Sequence, residues 1–317
     1  MDKQDAGIVE DLSRTGQEPL KGLLERIPSL AGRSCEVSEL SGGLTNRNYR
    51  VVAGGTDCVV RVFGNEPELP IDRDHEHRNS TAAASAGVGA PVLDYIPDHG
   101  MLVVGYIDGV TMSDELIKKP GNLPRVADSC RRLHQGPRFV GEFDMADVQD
   151  RYLATVRERG FRLPDRYLEN MEAVHRVRDL LAATPVETVP CNNDLLAENF
   201  IDDGEQIWII DYEYAGNNDP CFELGNIWSE CHLSVEELEE LITAYFGRPS
   251  PDKVARAQLQ GLMSKYGWTL WASIQQATSS IDFDFWTWGM EKYDTAVGIL
   301  SSGSRFERLL EDARLAD

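Results

Sequence analysis

Nowhere in these 317 residues do two cysteines form a C-x-x-C pair, and the six present, at 35, 58, 130, 191, 221 and 231, follow no metal-ligand spacing. That scatter predicts reduced, mostly buried thiols and excludes a disulfide or zinc framework. The six histidines make no H-x-x-x-H or H-E-x-x-H pattern, so a transition-metal motif is missing as well. Positive charge is scarce: 31 Lys and Arg stand against 53 Asp and Glu, a net charge of −22. Without a basic footprint, nucleic acid and anionic membranes are excluded as partners, while a small cationic ligand would be attracted. No stretch approaches 18 uninterrupted apolar residues, and the start MDKQDAGIVEDL has no basic segment followed by an apolar run. The expectation is a cytoplasmic chain with neither membrane span nor signal peptide.

What is present is a 42% hydrophobic composition on a chain of roughly two domains' length. Residues 1–17 are polar and irregular and read as a flexible N-terminal segment, followed by an entry helix with Leu20, Leu23, Leu24 and Ile27 at helical spacing. Three β-rich runs follow, SCEVSEL, NRNYRVVAG and TDCVVRVFG, punctuated by Gly-Gly at 42–43 and 54–55. A charged, alanine-rich helix over 71–86 closes at Gly87, and two more strands, PVLDYI and MLVVGYI, flank the turn PDHG. The reading is an α+β chain. Its N-terminal lobe, 18–105, holds a five-stranded antiparallel sheet and one helix; GYIDGVTMS forms a hinge; and a larger, mainly helical lobe spans 106–317.

A β-rich interruption near 188–212 carries the most chemically loaded residues, VPCNNDLLAENFIDDGEQIWIIDYEYAG. It contains Asp194, then Asn199 five residues on, then Asp211 at the end of the apolar run IWII. Phosphoryl transfer from ATP needs one group to orient or deprotonate the acceptor hydroxyl and two oxygen ligands to hold Mg²⁺. These three residues can supply those parts, with a hairpin bringing Asn199 and Asp211 together.

VPCNNDLLAEN resembles the catalytic loop of the aminoglycoside phosphotransferase and choline kinase superfamily, small-molecule kinases related in fold to protein kinases. IIDYEYAG resembles that superfamily's metal-binding motif. The resemblance implies a two-lobed protein kinase-like fold, with Asp194 at the acceptor hydroxyl and Asn199 and Asp211 on Mg²⁺. LSGGLTNRNYRV resembles the loop that covers the ATP phosphates, which assigns Gly42, Gly43, Thr45 and Asn46 to the nucleotide. Arg61 in VVRVFG then falls at the phosphate-contacting cation and Glu76 at the acid that pairs with it. Met101 to Asp108, with Tyr106, would meet adenine. The chain has Asn192 where the motif usually has His, a change expected to remove a bracing ring, and LLAEN points to a bacterial-type enzyme.

EYAGNNDPCFELGNIWSE and GWTLWASIQQATSSIDFDF resemble the choline and ethanolamine kinase stretches that end on a substrate-pocket acid and supply paired tryptophans. The implied pocket is Tyr214, Glu230, Trp268, Trp271 and Phe283, with Trp286 and Trp288 as further walls. A quaternary ammonium donates no strong hydrogen bond, so aromatic faces and a carboxylate are what can hold it. Phosphorylation of choline or a close amino alcohol is the expected reaction. Ethanolamine, thiamine, an aminoglycoside or a sugar-like metabolite are alternative acceptors, and a kinase-fold binding protein without turnover is a third reading.

Overall fold

The structure is a computed structural model that describes residues 20–40, 46–64, 69 and 71–315. The predicted N-terminal segment 1–17 and the nucleotide-loop candidates Gly42, Gly43 and Thr45 lie outside the described residues. The chain divides into two compact units, one formed by 1–65 with 90–106, the other by 66–89 with 107–317.

In the first unit, strands β1 (Glu36–Leu40), β2 (Arg47–Ala53), β3 (Thr56–Val62), β4 (Val92–Ile96) and β5 (Met101–Gly105) form an antiparallel sheet in the order β1-β2-β3-β5-β4. Period-two alternation sends Tyr49, Val51, Cys58, Val60, Met101 and Val103 to one face, where they pack with Leu20, Leu24, Ile27 and Leu30. The β2–β3 turn is a two-residue loop, Gly54 and Gly55, both at positive φ (55° and 89°), as a hairpin with the sheet's twist requires. The expected five-stranded antiparallel sheet is present.

The helix Arg73–Ser85 groups with the second unit. Its N-cap is Asp72, and its buried Asn79 donates to the carbonyls of Val140 and Ala215 and accepts from the Val140 N–H. Those side-chain bonds tie the helix to the mainly helical part of the chain.

The second unit also holds two small sheets. Strands β6 (Val110–Thr111), β8 (Phe200–Asp202) and β9 (Ile207–Ile209) form one, and β7 (Val189–Cys191) with β10 (Gly216–Asn218) the other. The sequence reading predicted neither β6 nor β10. Around these sheets run the helices Asn122–His134, Met145–Arg159, Met171–Ala183, Pro220–Glu230, Val235–Phe246, Pro251–Thr278, Phe285–Leu300 and Ser304–Asp312. The helix Met171–Ala183 starts after a turn with Arg166 at φ 62°. No helix among the described residues is long and apolar enough to cross a membrane.

Two helices position the site. Pro220–Glu230 starts cleanly because Pro220 sits in its first turn and Asp219 caps the Cys221 N–H at 2.8 Å. The other Asp219 oxygen takes Arg256 Nε at 2.6 Å and Gln260 Nε2 at 3.0 Å, which pins this cap to Pro251–Thr278. The two helices touch backbone to backbone at Gly225 and Gly261: a Cβ on Gly225 would lie 2.0 Å from the Ala257 carbonyl oxygen. No side chain can yield there, so Gly225→Ala should lower stability by about 3 kcal/mol, a fall of roughly 6–12 °C in Tm by thermal melting. An unchanged Tm would contradict this packing.

Candidate active site

Asn192, Asn193 and the candidate Asp194 follow β7, and a buried carboxylate sets their course. Glu223, on the helix Pro220–Glu230, is fully buried and accepts the consecutive backbone N–H groups of Asn192 and Asn193, each at 2.8 Å. Beside it, His134 Nε2 lies 3.7 Å from Glu223 Oε1 and 3.7 Å from Cys191 Sγ. These three side chains bring their ligand atoms within 4.8 Å of one another. The two carboxylate oxygens are already committed to backbone N–H groups, so the cluster reads as a brace for the loop.

Asn193 sits in the left-handed region, φ 70°, which asparagine tolerates because its short amide bonds locally. Its Nδ2 reaches the carbonyls of Cys191, Tyr214 and Gly216, and its Oδ1 accepts from Asn218. Asn192, also fully buried, donates to the carbonyls of Ile210 (3.1 Å) and Asp211 (2.7 Å) and accepts from the Asp194 N–H (3.1 Å). The expected loss of a brace at this position is therefore corrected: the amide itself ties the Asp194 loop to the Asp211 loop. One residue further, Leu195 N–H donates to Asn226 at 2.6 Å, and Asn226 in turn donates to Ser264.

Asn199 ends a short 3-10 turn, Ala197–Asn199, and starts the β8–β9 hairpin. Its Nδ2 donates to the Asp194 carbonyl at 2.7 Å, and its carbonyl accepts the Ile210 N–H at 3.0 Å. The hairpin therefore brings Asn199 beside Asp211, which follows β9 at φ 65°. With its nitrogen engaged, Asn199 offers an amide oxygen and Asp211 a carboxylate, a hard-oxygen pair that suits Mg²⁺.

Asp194 is part-buried in an acidic neighbourhood. Burial pushes its carboxyl well above the usual range, Glu230, Asp211 and Glu213 push it further, and Lys292 opposes them. Glu213 is itself held by Arg73 at 3.2 Å, and the same guanidinium takes the buried Glu76 at 2.6 Å. The predicted acid Glu76 thus has a cation one turn away on its own helix. Arg73 was not singled out in the sequence, where it reads as one of many charges on a charged helix.

The aromatic candidates converge in the same unit. The Tyr214 and Trp268 rings meet edge to face at 4.9 Å, and Trp271 Nε1 donates to the Tyr214 hydroxyl at 3.0 Å. Trp271 also meets Trp288 at 5.5 Å and Phe285 at 5.7 Å. Phe283 is 39% exposed and leans on Phe285, so Phe285, not Phe283, is the phenylalanine in contact with Trp271. Trp286 stacks under Arg162 at 3.7 Å. The buried Trp268 indole N–H has no hydrogen-bond partner among the described residues, a cost that a ligand oxygen would remove. Glu230 is 5% exposed and accepts from Lys292, a residue the sequence reading passed over. Burial pushes the Glu230 carboxyl up, but Lys292 and Lys265 outweigh it and hold it below the usual range.

In the first unit, the buried Asn46 accepts the Gly64 N–H at 3.3 Å, and Arg61 sits on β3 between Asn48 and Leu102 of the neighbouring strands. The Tyr106 N–H is spent on the Asp57 carbonyl at 3.1 Å, and its ring carries the Arg50 guanidinium at 3.6 Å.

The family model for choline/ethanolamine kinase matches residues 37–241. The chain belongs to the choline/ethanolamine kinase family. A solved choline/ethanolamine kinase family protein from Mesorhizobium loti is 35% identical over 94% of this chain and 98% of its own, with a TM-score of 0.83. Choline kinase LicA from Streptococcus pneumoniae is 26% identical over 89% of this chain and 98% of its own, TM-score 0.75, and a structure of LicA in complex with AMP gives a TM-score of 0.73. Ethanolamine kinase 2 of Rattus norvegicus is 28% identical over 305 residues, 87% of this chain and 79% of that protein. The protein kinase-like fold extends to the aminoglycoside phosphotransferase APH(4)-Ia, TM-score 0.63. This is a family of ATP-dependent phosphotransferases that act on a small alcohol.

Because the whole kinase loop hangs on Glu223, Glu223→Gln should lower stability by about 1–3 kcal/mol, since an amide NH₂ would face one of the two backbone donors. The urea midpoint measures it; an unshifted midpoint would show that the loop does not depend on the carboxylate.

Proposed function

We propose that this kinase transfers the γ-phosphoryl group of ATP to the hydroxyl of choline or a close amino alcohol, giving the phosphomonoester and ADP. What supports choline is the edge-to-face cluster of Tyr214, Trp268, Trp271 and Trp288 with the buried Glu230, next to Asp194. Aromatic faces can hold a trimethylammonium group that has no N–H to donate. The proposed substrate set is Tyr214, Glu230, Trp268, Trp271, Phe283 and Trp288, of which Phe283 is exposed.

In this reading Asp194 accepts or orients the proton of the substrate hydroxyl. The hydroxyl oxygen forms a bond to the γ-phosphorus in line with the breaking bond to the β–γ bridging oxygen, the ADP oxygen takes the bonding electrons, and the proton passes to the Asp194 carboxylate. A high proton affinity, which burial and the nearby carboxylates give Asp194, suits a group that must take a proton from an alcohol. Asn199 and Asp211 would hold Mg²⁺, which neutralises charge on the phosphates when bound. Gly42, Gly43, Thr45, Asn46, Arg61 and Tyr106 are assigned to the nucleotide, with Glu76 as the supporting acid. Tyr106 would act through its ring or carbonyl, since its N–H is used within the sheet. Residues 18–105 are assigned to nucleotide binding and 106–317 to catalysis and the substrate, and the enzyme is placed in the cytoplasm.

A coupled ADP-release assay against choline, ethanolamine, thiamine and an aminoglycoside tests the acceptor. Choline should give the highest kcat/KM; preference for ethanolamine would move the assignment to the primary amine, and turnover of none would leave a binding protein. Asp194→Asn should reduce kcat for choline by about 10²–10⁴-fold. Trp271→Leu should raise the choline KM by about 2- to 30-fold, the equivalent of one cation–π contact. Full turnover by Asp194→Asn would contradict the assigned base.

A further inference from the structure

The amine cage contains a cation of its own. Lys292, on the helix Phe285–Leu300, is 6% exposed, its ammonium hydrogen-bonds Glu230 Oε2, and it lies 4.0 Å from the centroid of the Trp288 ring. Trp288 and Lys292 are four residues apart on one helix, so the ring lies one turn below the lysine stem. A carboxylate and an indole face are the two partners an alkylammonium substrate would seek. A second lysine, Lys265, stands close by with its ammonium on the Ser229 carbonyl at 2.8 Å. The Glu230 charge is therefore already balanced within the protein.

We propose that Lys292 is a specificity-determining residue: a tethered cation that fills the Glu230–Trp288 subsite in the unliganded enzyme and that the substrate ammonium must displace. The inference rests on the amino-alcohol reading of the site. Two ammonium groups cannot share one buried carboxylate and one ring without strong repulsion at low dielectric. Lysine suits displacement, because a single ammonium on a four-carbon stem can swing away without moving its helix. Amine affinity is then the difference between two cations competing for the same partners, whereas an uncharged alcohol of the same shape gains nothing from displacing the lysine.

The test compares kcat/KM for choline and for 3,3-dimethyl-1-butanol, its uncharged isostere, in the full-length enzyme and its variants. Lys292→Met should raise the choline-to-isostere ratio about tenfold, because the competing charge is gone. That variant leaves Glu230 buried without its lysine and could fail to fold, so the same step is read in a second background. Adding Lys292→Met to Glu230→Gln removes the same cation and should raise the ratio about tenfold over Glu230→Gln alone. A ratio that is unchanged or lower in the measurable backgrounds would overturn the inference and leave Lys292 as a support for Glu230. Wild-type enzyme inactive on choline and ethanolamine alike would overturn the amino-alcohol reading and this inference with it; an active wild type with no rise overturns this inference alone.

Discussion

Everything at the active loop depends on one buried carboxylate that accepts two consecutive backbone N–H groups. Glu223 takes the amides of Asn192 and Asn193 where no water can replace it, so the loop has one course. Charge-assisted bonds to a buried anion are stronger than neutral ones, and losing one strands a donor. With the two amides fixed, Asn193 turns into the left-handed region, its side chain gathers three carbonyls, and Asn192 reaches across to the carbonyls of Ile210 and Asp211. The spacing between the Asp194 loop and the Asp211 loop is thereby set by side-chain amides and not by the loop's own stiffness.

The same helix also reaches the proposed substrate side. Glu223, Asn226 and Glu230 lie at spacings of three and four along Pro220–Glu230 and share a face. The first two hold the Asp194 loop, and the third accepts from Lys292, whose ammonium lies over the Trp288 ring. Its backbone contact with Pro251–Thr278 at Gly225 and Gly261 brings Ser264 to Asn226 and Lys265 to the Ser229 carbonyl, while Trp268 and Trp271 of the same long helix meet Tyr214. A single helix pair thus joins the Asp194 loop to the residues proposed to hold the amine.

Much of this was legible in the sequence, where the physics is local. Alternating β-branched residues around Gly54 and Gly55 specify the hairpins, and the Asp194–Asn199–Asp211 spacing marks a loop and hairpin that can carry metal ligands. The strand β10 was not legible, because Gly216, Asn217 and Asn218 have poor strand propensity and pair with β7 only through tertiary bonds. Glu223 was not legible either: among 53 acidic residues nothing local distinguishes the one whose partners lie 30 and 31 positions away. Arg73 and Lys292 were missed for the same reason, since Lys292 meets Glu230 across 62 positions. At Asn192 the residue type suggested a weaker loop, whereas the amide's three bonds show a different way of bracing it.

The central claim is that this site moves a phosphoryl group from ATP to an amino-alcohol hydroxyl. Phosphorus-31 NMR of the enzyme with ATP, Mg²⁺ and choline tests it most directly, because the product is identified and not merely the ADP. The account predicts a phosphomonoester resonance growing in step with ADP, and none when Mg²⁺ is chelated. Inorganic phosphate as the sole new phosphorus species beside ADP, with choline and ethanolamine alike, would contradict it.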